Sequence, residues 1–371
     1  MGVVNQGYVE SFLSKSVQWS DEAQTLLAYF GQKKGIDPDE VAKDSAGFAK
    51  LIPEIMSWHY EEDAETGKIV TQYCPEEIAS IQAFEMKLWG EVSDLATGGL
   101  EEPLFIMSAG SPGAGKTTLL EEEIKKRFRS VPSYYGGIIY IDPDEPVLMQ
   151  MPQYKRSLQR ALKAVERGAS PELNEMLEKY GVSDDLFAKF VAYTKWRWAS
   201  NYISNSFMNR AAEGRYNIAH GTTATSLGAR SLLDNVADQG YKVEVLMVDA
   251  DMELKQASNQ IRMDLPNGKY VPDYDVVNKA AALKDNIPYL FNLAARTGGK
   301  IDLFWRDGNM RPSCVGSWWT KPGKHGPLIN VNTASQAFLG RYGYDVTRAN
   351  AEFQRCHRDV ASSPSPNPPQ L

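Results

Sequence analysis

Cysteine is scarce in this sequence: Cys74, Cys314 and Cys356 are the only three among 371 residues, they lie far apart, and no CxxC pair occurs. That spacing suggests neither a disulfide framework nor a zinc knuckle, and it fits a reducing compartment. Long apolar runs are missing too. No stretch approaches the roughly 18 consecutive apolar residues of a membrane span, and the opening Met1-Gly2-Val3-Val4-Asn5-Gln6 lacks the basic-then-apolar layout of a secretory signal. No membrane span and no classical export are therefore expected. Gly2 invites a myristoylation reading, but Gln6 stands where that motif wants Ser or Thr. Nor is there a long basic run. With 40 basic against 47 acidic residues and a net charge of -7, the chain is not built to neutralise a phosphate backbone, so no nucleic-acid partner is expected. Internal repeats, a GxGxxG fingerprint for a redox dinucleotide and an NKxD guanine-reading motif are absent as well.

What remains is the profile of a folded globular chain, 43% hydrophobic and 23% charged, long enough for two domains or for one large domain with an extension. Up to about Gly99 the apolar residues recur at three- and four-residue spacings, as in Val9-Phe12-Leu13, Leu26-Leu27-Phe30 and Ile81-Phe84-Leu88-Trp89, which predicts helices. Gly35-Ile36-Asp37-Pro38-Asp39-Glu40 reads as a loop entering a helix with an acidic first turn, and Thr97-Gly98-Gly99 as a break. From Leu104 the pattern becomes that of successive βα units. The short apolar runs are Leu104–Met107, Ile138–Ile141, Tyr216–Ala219 and Val243–Val248, each followed by a turn and a longer amphipathic stretch, so a parallel sheet with helices on both faces follows. A helical insertion near 150–213 carries Trp196, Trp198, Tyr202 and Phe207, whose helical spacing favours an aromatic core over base stacking. Ile301–Arg306, Asp307-Gly308 and Cys314–Trp318 resemble a hairpin with an Asp-Gly turn. The expected division is a helical region over 1–100, an α/β core over 101–320, an extension over 321–360 and a flexible Pro-rich tail over 361–371.

The chemistry concentrates in Gly110-Ser111-Pro112-Gly113-Ala114-Gly115-Lys116-Thr117, a full GxxxxGK[ST] match between an apolar run and the helical stretch that begins with Thr118. Glycines let backbone N–H groups turn toward phosphates, and the following helix presents its positive end. Lys116 would bridge the β- and γ-phosphates of ATP, and the Thr117 hydroxyl would hold Mg²⁺. The second strand leads into Asp142-Pro143-Asp144-Glu145, at the sheet edge where ligands gather. One of these aspartates can join the Mg²⁺ shell while the other accepts a proton from an attacking hydroxyl, or the pair can simply cap the next helix. After the third strand, His220-Gly221-Thr222-Thr223-Ala224-Thr225-Ser226 offers hydroxyls to a polar substrate, an N-cap cluster, or both; His220 itself can be a substrate contact or a structural residue. Asp249, following the fourth run, is a rival Mg²⁺ ligand, and Arg262 and Lys269 are cations that could fold over a triphosphate.

In this order the features resemble the zeta-toxin family of P-loop kinases. The matching pieces are the loop 110–117, Ile141-Asp142-Pro143-Asp144, Gly214-Arg215-Tyr216-Asn217 leading to Gly221-Thr222, Gly240-Tyr241 and the helix ending in Arg262, spread over about 104–275. The resemblance implies a P-loop kinase fold using ATP and Mg²⁺. It makes Asp144 the base for the acceptor hydroxyl, Lys116 and Thr117 the phosphate and metal ligands, and Arg262 a clamp, with Lys269 where the family carries a second arginine. That family has a glutamate where His220 stands and an arginine where Ala224 stands, so an acceptor other than the usual UDP-N-acetylglucosamine is expected, with that nucleotide sugar kept as the alternative. Together with the helical front end, the insertion and the Pro-rich tail, the chain looks like the zeta-toxin-like type III effectors of plant-pathogenic bacteria. That likeness implies an NAD-like acceptor phosphorylated on the 3′-hydroxyl of its adenosine ribose. It also implies a small antitoxin or chaperone protein as partner, and a bacterial cytoplasmic protein delivered to a host without a classical signal. Two other classes stay open, a nucleotide-hydrolysing switch and a non-catalytic module that keeps an ATP fold.

Overall fold

The computed structural model describes residues 13–131, 134–166, 168, 170–225, 227–265, 268–308, 311–320 and 327–362. Gly2, Val9, Phe12, Ser226 and the tail beyond Ser362 lie outside the described residues, and so do the expectations placed on them. The chain forms two compact units: one comprises the described residues up to Gly90 with Asp142–Phe207 and Arg262–Tyr270, the other Glu91–Ile141, Met208–Ile261 and Val271 onward.

The first unit is mainly helical. Helices run over Trp19–Lys34, Pro38–Met56, Pro75–Ser93, Pro152–Glu166 and Pro171–Tyr180, and the long helix Asp184–Glu213 begins here. Asp37 accepts the Asp39 N–H at 2.8 Å and Pro38 occupies the first helical position, so the loop signal at 35–40 is a helix entry with a capped, acidic first turn. The front end is not purely helical: β1 (Val17–Gln18), β2 (Glu61–Glu62) and β3 (Ile69–Thr71) form a small antiparallel sheet in the order β1-β3-β2. Strands of two or three residues carry too little alternation to register as a period of two. The Trp19 indole N–H donates to Thr71 Oγ1 at 2.9 Å and ties this sheet to the first helix. Trp196, Tyr202 and Phe207 are buried, Trp196 stacking with Tyr73 and Phe207 meeting Trp89 edge-on. Three of the insertion's aromatics are core; Trp198 is only half-buried, with Lys15 Nζ 4.6 Å from its ring centre.

The second unit is built on a seven-stranded sheet in the order β12-β11-β10-β9-β4-β8-β7, where β4 is Leu104–Ala109, β7 Ile139–Ile141, β8 Ile218–Gly221, β9 Lys242–Ala250, β10 Lys300–Arg306, β11 Ser313–Trp319 and β12 Leu328–Val331. The four apolar runs are β4, β7, β8 and β9; with β10 they pair in parallel, whereas β11 and β12 add antiparallel strands at one edge. Helices flank the sheet, giving the expected α/β class with a mostly parallel sheet. A separate short hairpin, β5 (Arg129–Val131) with β6 (Tyr134–Gly136), lies between β4 and β7 in the chain. Helix Lys116–Arg127 buries Leu119, Leu120 and Ile124 against Ile106, Ala219, Leu246 and Val248 of the sheet, while Phe291 of helix Asp273–Arg296 meets Trp318 and Phe353 edge-on. The β10–β11 pair is a hairpin, and Gly308 adopts φ 56°. Its connection spans 307–312 instead of a two-residue Asp-Gly turn, because Trp305 pairs with Ser313.

Candidate active site

In the sheet unit the loop 110–115 joins β4 to helix Lys116–Arg127. Gly110 has φ 151° and Gly113 φ 80°, and a Cβ at either would lie 2.2 Å from a backbone oxygen, that of Val248 and of Lys255 respectively. Only glycine meets both demands. Gly115 (φ 102°) caps the helix, whose first turn holds Lys116, Thr117 and Thr118. The N–H groups of a first turn have no partners within their own helix and point toward its N-terminal end. Lys116 Nζ donates to the Ser111 carbonyl at 2.9 Å, and the Ala114 N–H reaches the same oxygen at 3.3 Å, which closes the loop on itself. Pro112 and Ala114 are buried behind it; Lys116 and Thr117 are half-buried and Thr118 is exposed. Ser111 is fully buried, yet its Oγ has no partner among the described residues. Such an orphan hydroxyl inside an anion nest fits a phosphate oxygen, so the loop suits the phosphates of ATP.

The same unit places the ends of β8 and β9. His220 Nδ1 lies 3.1 Å from the Ile141 carbonyl, which requires Nδ1 to carry the proton and donate. Burial pushes the imidazole down to about 4, so His220 is neutral at pH 7. Thr222 Oγ1 accepts the Ala224 N–H at 3.1 Å, and Thr223 Oγ1 pairs with Thr225 Oγ1 at 2.9 Å. Ala224 has φ 56°, and its carbonyl accepts from Asn286 Nδ2 at 2.6 Å, so the turn is pinned from behind. Asp249 is buried and accepts from the buried Lys255 Nζ at 2.8 Å. This carboxylate already has a cation, which accounts for it without a metal.

The helical unit holds the remaining candidates. Asp142 Oδ1 accepts the Asp144 N–H at 2.8 Å and caps the single turn Pro143–Val147, so the capping alternative is realised. Asp144 Oδ1 accepts from Arg197 and Oδ2 from Lys269, while Arg262 Nη2 lies 3.3 Å from Glu145 Oε1. Burial favours the protonated form of Asp144, but the charges of Arg197 and Lys269 outweigh it and hold the carboxyl well below the usual carboxylate range. Asp142 goes the other way: burial and the neighbouring Asp144 raise it. Thr117 stands half-buried in the first turn of helix Lys116–Arg127. Among the described residues no cluster of three or more His, Cys, Asp or Glu side chains is arranged to hold a metal ion. A phosphate-loop Mg²⁺ takes most of its ligands from water and nucleotide oxygens, so a single hydroxyl such as that of Thr117 suits one protein ligand of it.

Thus the loop residues are contiguous within the sheet unit, and Asp142, Asp144, Arg262 and Lys269 share the helical unit. Sequence reasoning missed several partners. Arg306 closes β10 and donates to the Gly113 carbonyl at 2.9 Å; its position at the carboxyl end of a parallel strand was the available signal. Arg197 gave none, since a cation inside a long helix looks like any solvated residue. Asn259 is fully buried with both amide atoms unpartnered among the described residues.

No protein-family model and no curated protein matches the sequence. Among solved structures, a chain of the PezAT chromosomal toxin-antitoxin system of the human pathogen Streptococcus pneumoniae is similar over 79% of this chain and 99% of its own, at 17% identity and a TM-score of 0.45. A chain of the AvrRxo1-ORF1:-ORF2 complex is similar over 78% and 86%, at 13% identity and a TM-score of 0.46. In the same complex with ATP the figures are 78% and 86%, 14% and 0.46. Among the described residues no helix is long and apolar enough to cross a membrane.

Proposed function

We propose that the chain is an ATP- and Mg²⁺-dependent small-molecule kinase that phosphorylates a ribose or sugar hydroxyl of a nucleotide, best assigned as the 3′-hydroxyl of the adenosine ribose of NAD. The observation that carries the kinase reading is the phosphate loop: a glycine-formed cradle with a buried Ser111 hydroxyl unpartnered among the described residues, Lys116 folded onto the Ser111 carbonyl and a helix N-terminus at its end. In the proposed step the acceptor oxygen forms a bond to the γ-phosphorus of ATP, the bond from that phosphorus to the β,γ-bridging oxygen breaks, and ADP departs. The hydroxyl proton passes to the Asp144 carboxylate and then to water. Gly110, Ser111, Pro112, Gly113, Ala114, Gly115, Lys116, Thr117, Thr118 and Lys269 bind the triphosphate, Thr117 and Asp142 serve the metal, Asp142 contacts the acceptor as well, and Arg262 with Lys116 steadies the transferring group. His220, Thr222 and Thr223 hold the acceptor; as a neutral imidazole with Nδ1 committed to Ile141, His220 presents Nε2 as a hydrogen-bond acceptor for a sugar hydroxyl.

The sequence resemblance supports the NAD assignment, a role as a toxin or virulence effector made in the bacterial cytoplasm and delivered to a host, and a small antitoxin-like partner. The test is direct. The protein is incubated with labelled ATP, Mg²⁺ and a panel including NAD and UDP-N-acetylglucosamine, and products are identified by mass spectrometry. Phosphorylated NAD is the expected product. Labelled nucleotide sugar would move the acceptor to the usual family substrate, and phosphate release with no labelled organic product would replace the kinase with a hydrolytic switch.

A further inference from the structure

Within the helical unit, Asp144 is gripped by two cations of different kinds. Arg197 lies inside the long helix Asp184–Glu213, and its neighbours fix that turn. Trp196, one residue earlier, donates from Nε1 to Ser157 Oγ at 2.7 Å in helix Pro152–Glu166, and its ring stacks on Tyr73 with 5.5 Å between centroids. Tyr193, one helical turn before, puts its ring 5.5 Å from the Arg197 guanidinium carbon. Lys269, in contrast, belongs to the irregular stretch after helix Met252–Asp264 and reaches Asp144 with a flexible stem. A planar guanidinium on an anchored helix fixes the direction of a carboxylate; an ammonium on a mobile stem supplies charge alone.

We infer that Arg197 is the positioning residue of the base: its guanidinium holds Asp144 Oδ1 in a fixed direction and leaves Oδ2, once Lys269 withdraws, to take the acceptor proton. The inference rests on Asp144 being the base. The groups that bear on this carboxylate are Asp142 and Glu145 from its own segment, Arg197 from the long helix, Arg262 and Lys269 from 262–270, and Tyr154 from helix Pro152–Glu166. Tyr154 is buried, and its hydroxyl has no partner among the described residues. Of these cations only Arg197 is both bonded to Asp144 and carried on a regular helix tied to its neighbours.

The test uses the full chain with Arg197→Gln and Arg197→Lys. Turnover and KM are read with ATP and the acceptor that the labelled-ATP panel identifies, NAD being the one expected. Arg197→Lys keeps the charge, so it should lower kcat by about 10²-fold at unchanged KM for ATP, because direction is lost. Arg197→Gln should lose at least as much. In the Asp144→Asn background neither change should lower the residual rate further, since Arg197 acts only through that carboxylate. Parental kcat in Arg197→Lys, or a further loss of similar size on top of Asp144→Asn, overturns the inference. If Arg197→Gln fails to fold, Arg197→Lys in the two backgrounds decides alone. Full transfer by Asp144→Asn is a different failure, because it removes the base reading itself.

Discussion

The phosphate loop and the Asp144 cluster handle charge in opposite ways. The loop is a contiguous run of residues whose tools are backbone N–H groups, glycine conformations and one lysine folded onto a carbonyl 2.9 Å away. Its chemistry is carried by one short stretch, although Val248, Lys255 and Arg306 press on its backbone, and its side chains are nearly all small. In the Asp144 cluster the working parts are side chains drawn from positions 144, 197 and 269, and the form depends on a long helix arriving at one place. The first kind of site tolerates change around it but not within it. The second can be undone from a distance.

Asp144→Asn offers the sharpest break between the two regions. Removing the proton acceptor without touching the loop should cut transfer by about 10²–10⁴-fold while the Kd for ATP stays within error. Radiometric turnover and calorimetric ATP titration on the same preparation check it, and loss of ATP binding in this variant would end the claim that the two regions act separately. Lys116→Ala is the converse experiment. If, as proposed, Lys116 meets the phosphates in the ground state and in the transition state alike, ATP affinity and turnover should fall together, turnover by roughly 10²–10³-fold. Parental turnover after this change would dismiss the cradle.

How legible each region was follows from the same contrast. Gly110, Gly113, Gly115, Lys116 and Thr117 stand within one short stretch between an apolar run and a helix, and the period changes on either side of it made the setting readable. The runs at 104, 138, 216 and 243 became β4, β7, β8 and β9 for the same reason. The small sheet β1-β3-β2 was not readable, since its strands are shorter than any periodicity. Asp142 and Asp144 were visible as a pair, but their division of labour was not: burial and partners set it, and those partners lie 53 and 125 residues along the chain. Arg306 was passed over because a hairpin reading explained its surroundings without using its charge.

Gly113→Ala is expected to act on the loop by backbone strain. A φ of 80° suits an L-residue poorly, and the added carbon would meet the Lys255 carbonyl at 2.2 Å, backbone that cannot rotate away. Destabilisation of about 1–3 kcal/mol by urea titration should accompany a weakened ATP affinity. A variant with parental stability and affinity would mean that the loop and helix Met252–Asp264 can separate at little cost.

The smallest expected effect separates burial from charge pairing. His220 is held near pKa 4 by burial, against an ordinary value of 6.5, with no cationic or acidic partner among the causes. Its folded state therefore disfavours the proton that the unfolded chain accepts below pH 6.5. Stability from this residue is complete above that pH and is lost as the pH falls from 6.5 toward 4, by at most about 1.4 kcal/mol per pH unit. Asp142 contributes with the opposite sign: its raised pKa makes the folded state the better proton binder, so its share is lost as the pH rises through that pKa. Comparing Tm of the parent and of His220→Gln at each pH cancels the Asp142 share, and the parent's advantage should shrink steadily between pH 6.5 and 4. An advantage that stays constant across that range would show that the imidazole takes up its proton in the folded protein as it does in water, and a neutral His220 Nε2 would then be lost as a contact for the acceptor.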